Sequence, residues 1–212
     1  MKKIVLIFLL TSVYTTSIFA QNTAKCFDEN SSTVSIGYGF ISPYKNNFKL
    51  PSIFSAFTDL KTKFSATGPI GLTYEWGVAK HISVGVQVNY SKVKNTITQK
   101  DGIDVNKDLI VKQDLEQVFA LLRANYHFAT TDKLDPYVGF GVGYGSYKLE
   151  NSSNDPEAKA SDFDILAVKK PNSLKIAGQL GVKYYINPKF GFFGEVGNLA
   201  ASYVQVGITT KF

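Results

Sequence analysis

Cysteine, arginine and histidine are nearly absent from this chain of 212 residues, which contains one cysteine, one arginine and two histidines. A single cysteine excludes a disulfide within the chain. The net charge of +6 includes two lysines close to the N-terminus, and the other basic residues are not clustered. A nucleic-acid-binding protein would gather lysine and arginine on one face, so we expect no nucleic-acid partner.

Long apolar runs are also lacking, with one exception at the N-terminus. There, two lysines precede an apolar run over 4–10, and Ala20 supplies the small residue at the expected cleavage site. These features predict a secretory signal peptide over 1–20. We expect the next residues, 21–32, to be a flexible lead-in in which Cys26 is a free thiol.

A sustained apolar period of 3.6 residues is absent as well, which disfavours helices. The region 33–212 instead shows the period-two alternation of half-buried strands and is predicted to be one all-β domain. Eight candidate strands follow from this alternation: 33–42, 69–79, 81–95, 113–129, 136–150, 173–186, 190–199 and 201–212.

The two faces of these strands differ in size and polarity. Even-numbered positions carry apolar and aromatic side chains, whereas odd-numbered positions carry small or polar ones and most of the 17 glycines. The stretch PYVGFGVGYGSY, residues 136–147, shows both patterns together. An eight-stranded barrel has an interior only just wide enough for side chains, so the aromatic face cannot fit inside it. A soluble lipocalin-like binder is therefore disfavoured, and the bulky face is predicted to contact lipid.

The connections between the strands alternate in length. Those after the second, fourth and sixth strands are short, whereas three long loops span 43–68, 96–112 and 151–172. Outer-membrane barrels have short periplasmic turns and longer extracellular loops. We therefore predict an eight-stranded antiparallel up-and-down transmembrane β-barrel that is integral to the cell outer membrane and monomeric.

The C-terminal sequence VQVGITTKF is similar to that of small eight-stranded outer-membrane barrels, a superfamily that includes the OmpA transmembrane domain and the OmpX-type, OmpW-type and opacity proteins. In such proteins the barrel-assembly machinery reads a final aromatic residue preceded by alternating apolar residues. The resemblance implies this role for Val204, Val206, Ile208 and Phe212, although Thr210 stands where an aromatic residue is often preferred. It also implies contact with outer-membrane lipid and lipopolysaccharide.

Four charged residues are expected inside the barrel. Glu75, Arg123, Lys183 and Glu195 occupy odd positions and, counted from their strand ends, lie at a similar depth. Buried charges are tolerated only when they are paired and hydrogen-bonded. Two interpretations are open: the four side chains form a structural salt-bridge network that fills the lumen, or they form a gate or proton-linked site.

Catalytic, metal and cofactor sites are not predicted. Barrel enzymes that act on outer-leaflet lipids need acid–base groups at the extracellular rim, whereas His81 and His127 lie towards the periplasmic end. Asp104 and Asp108 belong to a stretch with calcium-loop spacing, but Leu109 stands in place of the required glycine. We therefore expect no enzyme and no cofactor.

Two functions remain. The first is a structural or surface-interaction barrel whose three long loops meet extracellular partners. The second is a narrow porin-like conduit for small hydrophobic solutes, entered through the apolar stretch 51–60 of the first loop, whose pattern suits a short helix on the rim. A lumen filled by polar side chains favours the first function.

Overall fold

The computed structural model describes five stretches of the chain, which are residues 25–40, 60–99, 108–128, 131–154 and 172–212. The signal peptide predicted over 1–20 lies outside these residues, as does nearly all of the apolar stretch 51–60. Both remain predictions.

Eight antiparallel strands close into a barrel. The strands are β1 (Ser32–Phe40), β2 (Leu60–Ala79), β3 (Ile82–Gln99), β4 (Leu109–His127), β5 (Leu134–Ser153), β6 (Asn172–Tyr185), β7 (Phe190–Asn198) and β8 (Val204–Lys211). Each strand pairs with the next and β8 pairs with β1, which confirms the predicted up-and-down topology. In the described stretches, no helix is long and apolar enough to cross a membrane.

The outward face of the barrel is apolar, as predicted. The side chains of Leu122 and Phe140, at even positions, are 64% and 55% exposed, whereas Leu121 and Arg123, at odd positions of the same region, are buried. Successive residues of a strand point to opposite faces, so one alternation sets both surfaces. A continuous band of exposed apolar side chains of this extent is what the hydrocarbon core of an outer membrane requires.

Strands β2 to β5 extend beyond the other four on the side of the long loops, and we refer to this extension as the tall wall. β2 begins at Leu60, well before its predicted start. The predicted start was too late because a register shift between Thr67 and Ile70 exchanges the inner and outer faces of the strand. Before the shift, Ala66 lies opposite Val93 and packs on the inner side although its number is even. Before the shift the inward side chains therefore stand at even positions, out of phase with the rest of β2. For this reason the period-two pattern did not predict the first part of the strand.

The three long loops are shorter than predicted, because the tall wall takes up part of each. β3 continues to Gln99, β4 starts at Leu109 and β5 continues to Ser153. The connections between strand ends that replace 43–68, 96–112 and 151–172 are 41–59, 100–108 and 154–171.

The connection between β7 and β8 folds into the extracellular end of the barrel instead of projecting from it. Leu199 and Ser202 are buried, and the amide of Leu199 donates a hydrogen bond to the carbonyl of Ser202 at 2.9 Å. Ala201 packs in one apolar cluster with Phe119 and Leu121. This short connection thus occupies part of the extracellular end of the lumen.

The residues that precede β1 pack against the opposite, periplasmic end, and we refer to residues 25–31 as the N-terminal plug. Cys26 is 2% exposed and Phe27 is 5% exposed. The amide of Cys26 donates a hydrogen bond to the carbonyl of Thr131 at 2.9 Å. The flexible lead-in predicted over 21–32 stays a prediction, but Cys26 and Phe27 within it are buried and have defined contacts with the barrel.

Candidate functional site in the barrel lumen

Four charged side chains meet across the lumen in one layer. Glu75 on β2, Arg123 on β4, Lys183 on β6 and Glu195 on β7 are each at most 4% exposed. All four occupy odd positions, whose side chains point inward in these parts of the strands. The structure thus brings together the four residues that the alternation and the depth count placed inside the barrel, and we refer to them as the charge layer.

The charge layer is an alternating chain of cations and anions. Nζ of Lys183 lies 2.5 Å from Oε2 of Glu75, and Oε1 of Glu75 lies 3.7 Å from Nη2 of Arg123. Arg123 in turn donates from Nη2 to Oε1 of Glu195 at 2.5 Å and from Nη1 to Oε2 at 3.4 Å. The two positive charges balance the two negative ones.

Neutral side chains complete the hydrogen bonding of the two carboxylates. Nδ2 of Asn125 donates to Oε1 of Glu75 at 2.8 Å, and the hydroxyl of Tyr137 donates to Oε1 of Glu195 at 2.7 Å. Buried ion pairs offset their desolvation only when the remaining hydrogen-bonding positions are also satisfied. Each carboxylate therefore has a neutral donor in addition to its cation. These neutral partners also lie at odd positions, but nothing in the sequence pattern distinguishes them from other lumenal side chains.

A second polar cluster lies between the charge layer and the periplasmic end. His127 is fully buried, with Nδ1 2.7 Å from Oδ1 of Asp135 and Nε2 3.0 Å from Oγ of Ser83. These distances resemble those of a hydrolase triad, but the ring of Phe27 stacks on the imidazole, with centroids 3.6 Å apart, and covers it. We interpret the cluster as hydrogen-bonded packing of the mouth. The sequence placed His127 at this end of the barrel without indicating its partners.

Towards the extracellular side apolar clusters appear in the lining of the barrel. Val93 and Leu115 form one buried cluster on the tall wall, and Phe119 belongs to a neighbouring one. Asn95, at the same face of β3, is 1% exposed, and neither polar atom of its side chain has a hydrogen-bond partner among the described residues. The charged side chains therefore lie in the lower half of the interior, whereas the upper half combines apolar side chains with uncharged polar ones such as Ser91, Gln113 and Gln117.

The residues of the predicted assembly signal lie on β8 and at the chain end. Val206, Ile208 and Phe212 are exposed on the lipid-facing side, and Val204 is half-buried. The amide of Phe212 donates to the carbonyl of Ser32 at 2.8 Å, so the last residue continues the pairing between β8 and β1. Recognition of these residues by the assembly machinery stays a prediction.

A closed antiparallel barrel with an apolar exterior and an ion-paired interior defines the class of small integral outer-membrane barrels. The chain belongs to the outer membrane protein beta-barrel domain family, whose sequence model matches residues 6–211. The protein is therefore an integral protein of the outer membrane, with its short turns on the periplasmic side.

Several solved structures are similar to the chain at low sequence identity. OprG from Pseudomonas aeruginosa is 16% identical with a TM-score of 0.46, and the similarity covers 87% of this chain and 97% of that one. The outer membrane protein W of E. coli is 18% identical with a TM-score of 0.43, covering 87% and 99%. Ail, the attachment invasion locus protein of Yersinia pestis, is 12% identical with a TM-score of 0.41, also covering 87% and 99%. No curated protein matches the chain.

Proposed function

We propose that the protein is a structural or surface-interaction barrel of the outer membrane. Its lipid-facing band anchors it as a monomer, and its tall wall and adjoining loops face extracellular partners. Outer-membrane lipid and lipopolysaccharide surround it, and the barrel-assembly machinery inserts it. This role requires no catalysis and no cofactor.

The charge layer is the observation that carries this proposal. Arg123 and Glu195 on one side, and Lys183 and Glu75 on the other, fill the lumen with paired side chains. Water or ions could pass steadily only if these pairs were separated, and separating buried charges costs several kcal/mol. The buried β7–β8 connection and the N-terminal plug obstruct the lumen at two further heights. A barrel filled in this way suits an anchor better than a steady aqueous pore.

The outer surface of the tall wall supports a role at the cell surface. Above Tyr90, where the apolar band ends on β3, the outward side chains become charged. Nζ of Lys92 lies 2.5 Å from Oε1 of Glu116, and Nζ of Lys94 lies 3.7 Å from Oδ2 of Asp114. Such side chains suit lipid headgroups and extracellular solvent rather than acyl chains.

A narrow conduit for small hydrophobic solutes is the second candidate, and the apolar clusters of the upper interior favour it. Binding sites for small molecules are mostly apolar with a few polar groups that orient the ligand. Val93, Leu115 and the amide of Asn95, which has no hydrogen-bond partner among the described residues, together have this composition. In this alternative the charge layer acts as a gate below the solute.

Conductance and stability measured on one variant distinguish the two candidates. In the variant Glu75→Gln/Glu195→Gln, Lys183 and Arg123 lose their anionic partners. We expect a free energy of unfolding in urea lower by at least about 3–5 kcal/mol, because removal of one partner leaves a buried charge uncompensated. In planar bilayers we expect no steady conductance from the wild type, nor from the variant while it stays folded.

A matched control makes the same chemical change outside the lumen. Glu116→Gln/Glu150→Gln alters two carboxylates paired with lysines on the outer surface, at 2.5 Å and 2.6 Å. Exposed ion pairs contribute little to stability, so the control should remain close to the wild type. A lumenal variant that keeps its stability and gains a sizeable conductance would establish the gated conduit. If neither quantity changes, the charge layer neither stabilises nor closes the barrel, and the proposal fails.

A further inference from the structure

The N-terminal plug covers the periplasmic mouth of the lumen through an aromatic stack. The ring of Phe27 lies flat on the imidazole of His127, with the two planes 6° from parallel. Phe27 is almost completely buried although it belongs to a segment outside the strands. The polar cluster around His127 is thereby separated from the periplasm.

The N-terminal plug is hydrogen-bonded to β2 in the wall of the barrel. The amide of Asn30 donates to the carbonyl of Gly77 at 2.8 Å, and the amide of Gly77 donates to the carbonyl of Ser31 at 2.9 Å. A side chain on Gly77 would collide with the carbonyl oxygen of Asp28. The glycine therefore permits the close approach of the two backbones.

Two other parts of the barrel hold the beginning of the N-terminal plug. The carbonyl of Lys25 accepts a hydrogen bond from Nζ of Lys211 on β8 at 2.6 Å. Thr131, in the turn between β4 and β5, accepts the amide hydrogen of Cys26. The plug is thus bound at three separate points around the mouth.

These contacts are few compared with those of any strand. The N-terminal plug is not a member of the closed sheet, whose strands are held by continuous ladders of backbone hydrogen bonds. Segments with few buried contacts open locally at free energies well below that of global unfolding. Loss of one aromatic stack and a few hydrogen bonds would release the plug and leave the barrel intact.

We propose that the N-terminal plug is a displaceable cover of the periplasmic mouth, anchored by Phe27 on His127. When it opens, the polar cluster of Ser83, His127 and Asp135 becomes accessible from the periplasm while the barrel stays folded. The proposed function is carried by the charge layer, which fills the lumen whether or not the plug is seated, so the two proposals can fail separately.

The only cysteine of the chain is a natural reporter of this opening. Cys26 adjoins Phe27 and is buried while the plug is seated. Burial raises the pKa of its thiol to about 11, with a further contribution from the negative charge of Asp135. Because the thiolate is the reactive form, a seated plug keeps the thiol both covered and protonated.

The test measures how fast a maleimide modifies Cys26 in the full chain, folded in phospholipid vesicles at neutral pH. We expect the wild type to react at least about 10-fold more slowly than the same chain unfolded in urea, because the covered thiol reacts only while the plug is open. Phe27→Ala should react about 10-fold faster than the wild type, because local opening becomes more frequent. A heat-modifiable band on gels confirms that each variant is folded.

Phe40→Ala is the matched control. It removes a ring of the same size from the lipid-facing side of β1, where Phe40 is 47% exposed. Its labelling rate should equal that of the wild type. The proposal is overturned if Phe27→Ala reacts no faster than the wild type, if the folded wild type reacts as fast as the unfolded chain, or if Phe40→Ala accelerates labelling equally.

A second measurement uses the wild type alone and so does not depend on whether a variant folds. The rate of Cys26 labelling is followed as urea is raised towards the midpoint of global unfolding. Local opening exposes little surface and depends weakly on urea, so labelling should proceed well below the midpoint. A rate that rises only in parallel with global unfolding would show that the plug is an inseparable part of the folded barrel, and the proposal would be rejected.

Discussion

Arg123 and Glu195 form a two-pronged ion pair inside the barrel, with Nη2 2.5 Å from Oε1 and Nη1 3.4 Å from Oε2. Planar guanidinium and carboxylate groups match in this geometry, which makes such pairs stronger than single contacts. The pair links β4 to β7, which are not neighbours in the sheet, so it braces the barrel across its lumen.

The first prediction concerns this pair. In Glu195→Gln, Arg123 keeps the more distant carboxylate of Glu75, at 3.7 Å, and a hydrogen bond from Nη1 to the neutral Oε1 of Gln87, at 3.0 Å. We expect the free energy of unfolding in urea to fall by about 3–5 kcal/mol. Glu116→Gln, which removes the same charge from a pair on the outer surface, should leave the free energy of unfolding close to that of the wild type. If the free energy of unfolding falls equally in the two variants, the buried pair contributes no more to stability than the exposed one.

The alternation of the sequence was sufficient to predict the barrel and the direction of its faces, because each strand has one face in lipid and one in a narrow lumen. The same alternation placed all four members of the charge layer inside. It could not predict which cation meets which anion, since that depends on the tilt of the strands. The pairing of Arg123 with Glu195, and of Lys183 with Glu75, depends on the geometry of the closed barrel.

Three parts of the fold were missed for different physical reasons. The bulge between Thr67 and Ile70 reverses the phase of β2, so the strand no longer alternates in one register. The N-terminal plug and the connection over 199–202 have no period at all, because they are held by contacts with distant strands. The stack of Phe27 on His127 joins residues that no local pattern connects.

The second prediction concerns assembly. Phe212→Ala removes the terminal aromatic ring but keeps the backbone hydrogen bonds between Phe212 and Ser32. If the ring is part of the signal read by the assembly machinery, the amount of folded protein in the membrane should fall severalfold when that machinery is limiting. Phe192→Ala removes another lipid-facing ring, on β7, and should leave insertion unaffected. Equal abundance of the two variants would count against the signal.

The third prediction concerns depth in the bilayer. Leu122 lies midway along the apolar band and is 64% exposed, whereas Leu134 lies at the periplasmic start of β5 and is 42% exposed. Leu122→Lys should lower the free energy of unfolding in phospholipid vesicles by about 2–4 kcal/mol, and Leu134→Lys by about 1 kcal/mol or less. The same substitutions in a soluble barrel would show no such gradient. A cost that does not depend on position would contradict the placement of the membrane.

The fourth prediction separates the glycines that face the lumen from those that face lipid. A side chain on Gly181, at an odd position of β6, would collide with the ring of Tyr137, whose hydroxyl donates to Glu195. Gly194, at an even position of β7, has no atom of the described residues within 4 Å of the place where a side chain would begin. Gly181→Ala should therefore lower the free energy of unfolding by about 1–3 kcal/mol through overpacking.

Gly194→Ala tests the opposite case with the same chemical change. Its new methyl group meets only lipid, and alanine restricts the unfolded chain more than glycine does. The free energy of unfolding should therefore stay unchanged or rise by about 0.4–1 kcal/mol. Urea unfolding of both variants in the same vesicles gives the comparison. If both substitutions destabilise the barrel equally, the small residues on the inner face are not there to make room in a narrow lumen, and another reason for them must be found.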